Sequence, residues 1–124
     1  GGGDSTWVAR VNELGRAYLQ IDLGEAKQVA SFALRRDADR PWQATSVWAE
    51  VSADGDKWAK VECGRRFEFA YQDKADDSVD AYTDAPVVAR FIRLYPITYV
   101  GQPAMRVQVR VCVPHEEKKK EEGE

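Results

Sequence analysis

Asp22 stands near the end of the run AYLQIDLG (residues 17–24), one residue before Leu23-Gly24. A carboxylate there could be a catalytic base, a ribose-binding acid, a metal ligand or a structural fixture. Catalysis would need a nucleophile, a partner base or a metal cluster beside it. The chain has one histidine, His115, next to a charged tail. It contains no GxSxG, HExxH, P-loop or GxGxxG pattern. Asp22 is therefore expected to be structural, its carboxylate accepting N–H groups of the following turn.

A second group of chemically capable residues lies in RRDADRPWQ (residues 35–43): Arg35, Arg36, Asp37, Asp39, Arg40 and Trp42. Guanidinium, carboxylate and indole together suit a sugar. Its hydroxyls accept from Arg and donate to Asp, and a ring stacks on its apolar face. The competing reading is a solvated loop with weak local ion pairs, its tryptophan folded back over the domain edge. Tyr71 and Tyr99 fall in or beside loops and could line the same site or pack strand ends.

Asp73, Asp76, Asp77, Asp80 and Asp84 form an acidic stretch with neither EF-hand spacing nor a glycine. It reads as solvated, with no metal site expected and calcium the one cation to consider. Cys63 and Cys112 are not in CxxC spacing, so a zinc site is not expected. They could form a disulfide, worth ~4 kcal/mol for a loop of about 50 residues, or remain free thiols.

Composition sets the frame for these groups. The 124 residues make one domain by length, and 44% hydrophobic with 31% charged content is globular. The formal charge is −3, and HEEKKKEEGE (residues 115–124) supplies −2 of it through five Glu and three Lys. The nearly neutral remainder gives no footprint for nucleic acid and no general attraction to anionic membranes. No apolar run approaches the ~18 residues of a membrane span. No signal peptide is legible.

The elements that must carry these residues alternate with period two. Residues 17–24 read as a strand broken by Gly24, and residues 28–34 as a second strand with Phe32 and Leu34 on one face. Residues 46–61 read as a hairpin about Asp54-Gly55, with Val47, Ala49 and Val51 inward and Trp58 returning to the core. Residues 87–96 place Ile92 and Leu94 on one face. Residues 105–113 alternate most cleanly, Met105, Val107, Val109, Val111 and Val113 facing one way. A loop is expected over residues 70–86. No helix of useful length appears, so the expectation is an antiparallel sandwich or barrel.

The series of blocks is more specific than any one of them. It runs WVAR-N (residues 7–12), YLQIDLG (18–24), Trp42, SADGDKW (52–58), ARFIRLYP (89–96) and MRVQVRVC (105–112). It resembles the discoidin family, the coagulation factor 5/8 C-terminal domain. The resemblance implies an all-β, antiparallel jelly-roll sandwich of the galactose-binding-like type, without enzymatic activity. Loops at one end would bind glycans, phospholipid head groups or proteins. It assigns Asp22, Trp58, Arg90, Arg93 and Arg106 structural roles. Family domains usually carry, ahead of the first block, another strand, a binding loop and often a cysteine that pairs at the position of Cys112.

The domain is therefore expected over residues 1–114 without the usual first strand, followed by a disordered charged tail over 115–124. An unpaired edge where that strand would lie makes dimerisation one outcome to expect. The leading functional expectation is a glycan-binding or adhesion module whose candidate ligand groups are Arg35, Arg36, Asp37, Asp39, Arg40, Trp42, Tyr71 and Tyr99. The partner would be a glycan or glycoprotein. The alternative is a protein-interaction or scaffolding domain of a larger protein. Phospholipid binding ranks lower, since the 70–86 stretch is acidic and the other loop offers one tryptophan. The resemblance implies an extracellular or cell-surface setting; the illegible signal leaves an intracellular one as the alternative.

Overall fold

The computed structural model describes residues 6–112. The charged tail and the first five residues lie outside it. Seven strands follow one another: β1 (Trp7–Val8), β2 (Leu19–Arg35), β3 (Gln43–Ser52), β4 (Ala59–Lys60), β5 (Phe67–Glu68), β6 (Val79–Val100) and β7 (Ala104–Val111). Every pairing is antiparallel, in the order β1-β7-β2-β6-β3-β4, with β5 also on β3. The fold is the expected all-β, antiparallel sandwich.

Two long strands make this architecture. β2 runs 17 residues and β6 runs 22. Their register steps from Asp22↔Phe91 to Lys27↔Ala89, five residues against two. It steps back from Val29↔Val87 to Ser31↔Tyr82, two against five. The two offsets cancel, so each strand bends once while the pairing survives. Gly24 therefore does not end a strand. It occupies the first bulge with φ +87°, a conformation a side chain resists. The two strands expected over 17–34 are one.

The expected 70–86 loop is also shorter. Val79 and Ala81 point inward opposite Leu34 and Phe32, which draws the chain into β6 well before Pro86. Asp80 and Asp84 thus sit on a strand.

The core forms from the inward residues of each strand: Phe32 and Leu34, Val47 and Ala49, Ile92 and Leu94, and Met105, all fully enclosed. Phe67 on β5 meets Phe32 edge to face at 5.5 Å between centroids. Trp58 is not among them. It lies half-buried on the outer face, the Arg93 guanidinium 3.8 Å above its ring. Its indole N–H donates to the Gly55 carbonyl, so the polar edge stays beside the hairpin turn instead of entering an apolar interior.

Candidate loop site at one end of the sandwich

Three segments meet where β2 gives way to β3: residues 36–42, 70–78 and 101–103. Arginines tie the first two together, and Trp42 of the first rests against Gly101 of the third. The Arg36 guanidinium donates twice to the Asp73 carbonyl, at 3.1 and 2.7 Å, and also to the carbonyls of Asp37 and Arg40. Arg106, buried on β7, donates to the carbonyls of Arg36 and Ala75. Both guanidiniums thus donate to backbone oxygens that the loops leave without ladder partners, while Arg106 Nε is buried with no hydrogen-bond partner among the described residues. Arg35 is the cross-strand neighbour of Arg106.

Asp37 is buried, and its Oδ1 accepts the N–H groups of Asp39 and Arg40 at 2.7 and 3.2 Å. That Asx-type turn folds the 36–42 segment back on itself, and the Asp37 N–H donates to the Trp42 carbonyl. Asp39 and Arg40 are left exposed at the tip. Trp42 is half-buried, with the Arg40 guanidinium 4.0 Å over its ring. A Cβ placed on Gly101 would lie 2.5 Å from Trp42 Cδ1, so the indole edge rests directly on the Gly101 backbone. Trp42 thus meets Arg40 on its ring and Gly101 at its edge.

Gln43 also holds the 70–78 segment. It is fully enclosed; its amide donates to the Ala70 carbonyl and its oxygen accepts the Gln72 N–H, both at 3.0 Å. Tyr71, between those anchors, is exposed. Tyr99 lies on β6 beside Ala44, at the base of the same end. The structure thus places Arg36, Asp37, Asp39, Arg40, Trp42 and Tyr71 in one rim, with Arg35 and Tyr99 on the strands beneath. Sequence reading overlooked Gln43 and Gly101. A polar residue opening an apolar run, and a glycine two residues before a proline, were the available signals.

A second cluster covers the outer face of β2, β6 and β3. Trp48 stacks parallel on Tyr95 at 4.0 Å, Tyr18 meets Tyr95 at 5.2 Å, and Arg93 lies over Tyr18 and Trp58. Arg93 also donates to the Gln20 side chain. The Tyr95 hydroxyl donates to Glu50 at 2.6 Å; burial, then that carboxylate, pushes its pKa up to about 12. Asp22 lies on this face. Arg90 donates to both its oxygens and the Gly24 N–H to Oδ1, which hold its carboxyl below the usual range. Among the described residues no group of three or more His, Cys, Asp or Glu side chains is placed to hold a metal ion. Cys63 and Cys112 are free thiols.

The family model for the F5/8 type C domain matches residues 1–109. Human neuropilin-2 is 26% identical over 116 residues, which is 90% of this chain and 12% of that protein. Human neuropilin-1 is 26% identical over 102 residues, 78% of this chain and 11% of that protein. The chain thus spans about an eighth of the curated relatives it matches. Among solved structures, discoidin II of Dictyostelium discoideum superposes with a TM-score of 0.75 at 16% identity, covering 88% of this chain and 42% of that one. A family 32 carbohydrate-binding module (CBM) from C. perfringens NanJ, in complex with galactose, gives 0.62 at 19% identity, covering 88% and 78%. A second clostridial module, in complex with GalNAc-beta-1,3-galactose, gives 0.62 at 17%, covering 88% and 77%.

Proposed function

The chain belongs to the F5/8 type C domain family, and from that premise we propose that it is a non-enzymatic module that binds glycans through the loop rim at one end of the sandwich. The family is one of binding domains, some of which occur as separate modules within enzymes. The observation that carries the reading is the joining of the 36–42 and 70–78 loops by Arg36, Arg106 and Gln43. Their bonds settle the backbone of the rim before any ligand arrives, which lowers the entropic cost of binding. Asp39, Arg40, Trp42 and Tyr71 then offer carboxylate, guanidinium and aromatic groups from one edge. The galactose and GalNAc-beta-1,3-galactose complexes of two similar modules support a sugar ligand. No cofactor enters this reading. The setting that goes with it is extracellular or at a cell surface. No helix among the described residues is long and apolar enough to cross a membrane.

A glycan array of the wild-type domain beside Arg40→Ala and Tyr71→Ala, with and without calcium, tests this. Wild-type binding that both variants weaken supports the rim. Silence from a domain shown folded by circular dichroism rejects it.

A second reading, a protein-interaction domain of a larger protein, draws on the outer face. Trp48, Trp58, Tyr18, Tyr95, Arg90 and Arg93 are the residue types that dominate protein interfaces.

A further inference from the structure

The outer face of β6, β3 and β4 carries two cations with no carboxylate of their own. Arg93, Glu50 and Lys60 stand directly opposite one another across the three strands, Arg93↔Glu50 and Glu50↔Lys60. Cross-strand neighbours of opposite charge attract and ordinarily pair. Here the Tyr95 hydroxyl donates to Glu50 at 2.6 Å instead, and among the described residues neither Arg93 nor Lys60 forms an ion pair. Asp22, on the same face, is closed on Arg90. β6, β3 and β4 lie at the end of the strand order opposite to β1 and β7.

Aromatic rings hold the two cations. The Arg93 guanidinium carbon lies 4.5 Å from the centre of the Tyr18 ring and 3.8 Å from that of Trp58, and Nε donates to Gln20 at 3.0 Å. The Lys60 ammonium lies 5.3 Å from the centre of the Trp48 ring, which stacks on Tyr95. Rings fix the position of a cation without cancelling its charge. No carboxylate among the described residues takes the Nη groups of Arg93, so one from outside can accept from both in parallel. Trp48 and Trp58 are half-buried and Tyr18 is exposed, so the rings offer a contact surface beside the cations.

Resting on the protein-interaction reading of this face, we propose that it docks an extended acidic segment of a partner protein, in polyproline II conformation, with carboxylates three residues apart. Arg93 and Lys60 stand two strand spacings apart, roughly 10 Å between backbones. Residues i and i+3 of a polyproline II helix lie on one side, about 9 Å apart. One carboxylate then meets Arg93 and the next meets Lys60, with the residues between them against Trp48. Prolines suit those positions, because the helix is formed before it docks and prolines pack on aromatic grooves. At the same sequence spacing an α-helix brings the acids to about 5 Å and a β-strand turns them to opposite faces. Glu50 selects the spacing as well. A carboxylate placed midway between the cations would face it, like charge against like.

Backbone amide shifts of the 124-residue chain, titrated with a synthetic peptide of repeated Glu-Pro-Pro and separately with its Gln-Pro-Pro counterpart, test this. The Glu peptide should shift residues around Trp48, Lys60, Arg93 and Tyr95 and leave residues 36–42 and 70–72 still. The Gln peptide should bind roughly fivefold more weakly. Lys60 is exposed, so Lys60→Glu should keep the fold and weaken the Glu peptide by a similar factor. Arg93→Lys keeps the charge but loses the paired donors, and should weaken it too. Circular dichroism checks that each variant stays folded. Equal binding of the two peptides at this face, or a Glu peptide indifferent to Lys60→Glu, overturns the acidic occupant and leaves the protein-interaction reading standing. No shift at this face from either peptide at millimolar concentration overturns both.

Discussion

Asp22 on β2 and Arg90 on β6 meet through two parallel hydrogen bonds, Nε to Oδ1 at 2.9 Å and Nη2 to Oδ2 at 3.1 Å. The pair sits at the bulge where the two long strands leave register, and Oδ1 also accepts the Gly24 N–H. Arg90 and the Gly24 N–H lower the Asp22 pKa in the fold. Its contribution to stability is present above the ordinary aspartate pKa and is lost as pH falls through the lowered one. Asp22→Asn should melt modestly below wild type near neutral pH, and the gap should close in acid. Melting curves across that range check it; a gap that is constant with pH would mean the carboxylate charge is irrelevant.

Gly101 adopts φ +73°, and a Cβ there would lie 2.5 Å from Trp42 Cδ1 and 3.0 Å from the Pro41 carbonyl. Gly101→Ala should push the indole off its seat and cost about 1–3 kcal/mol. Denaturant melts with tryptophan fluorescence read both effects. An unchanged midpoint and emission would contradict the packing described.

Removing the Gln43 side chain would strand the Gln72 N–H, while the Ala70 carbonyl would keep the Gln72 side-chain amide. Gln43→Leu should lose about 1–3 kcal/mol for the part-buried N–H left unpaired. Hydrogen exchange at Gln72 should accelerate with it, because the anchor of the Tyr71 segment is gone. Protection of Gln72 equal to wild type would show that another group holds the loop.

Tyr95 should keep its proton well past the pH at which ordinary tyrosines ionise, to about 12. The raised value means its contribution is present below the ordinary tyrosine pKa and is lost as pH rises through the folded one. Ultraviolet difference titration of wild type against Tyr95→Phe isolates that phenol. A missing component at ordinary tyrosine pH would place Tyr95 in solvent, apart from Glu50.

The strands were legible where one face is buried and the other wet. Met105, Val107 and Val109 alternate with Arg106, Gln108 and Arg110, and β7 lies where the pattern puts it. β2 was harder to read. Ser31 and Ala33 are as enclosed as Phe32 and Leu34, so no contrast marks its second half, and Gly24 looks like a terminator until β6 supplies the compensating bulge. At the rim, the 36–42 loop announced itself by composition. Gln43 did not, because its partners lie 27 and 29 residues away and nothing local names them. Trp58 misled for a related reason: the indole of a hairpin arm reads as core until Arg93 is seen across the sheet.

Backbone amide shifts of the labelled domain during titration with galactose test whether sugar binds at the loop rim. The expected shifts gather at residues 36–42, 70–72 and 101–102, with the outer face around Trp48 and Tyr95 silent. Shifts confined to that outer face, or none at saturating sugar, would contradict a loop-rim glycan site.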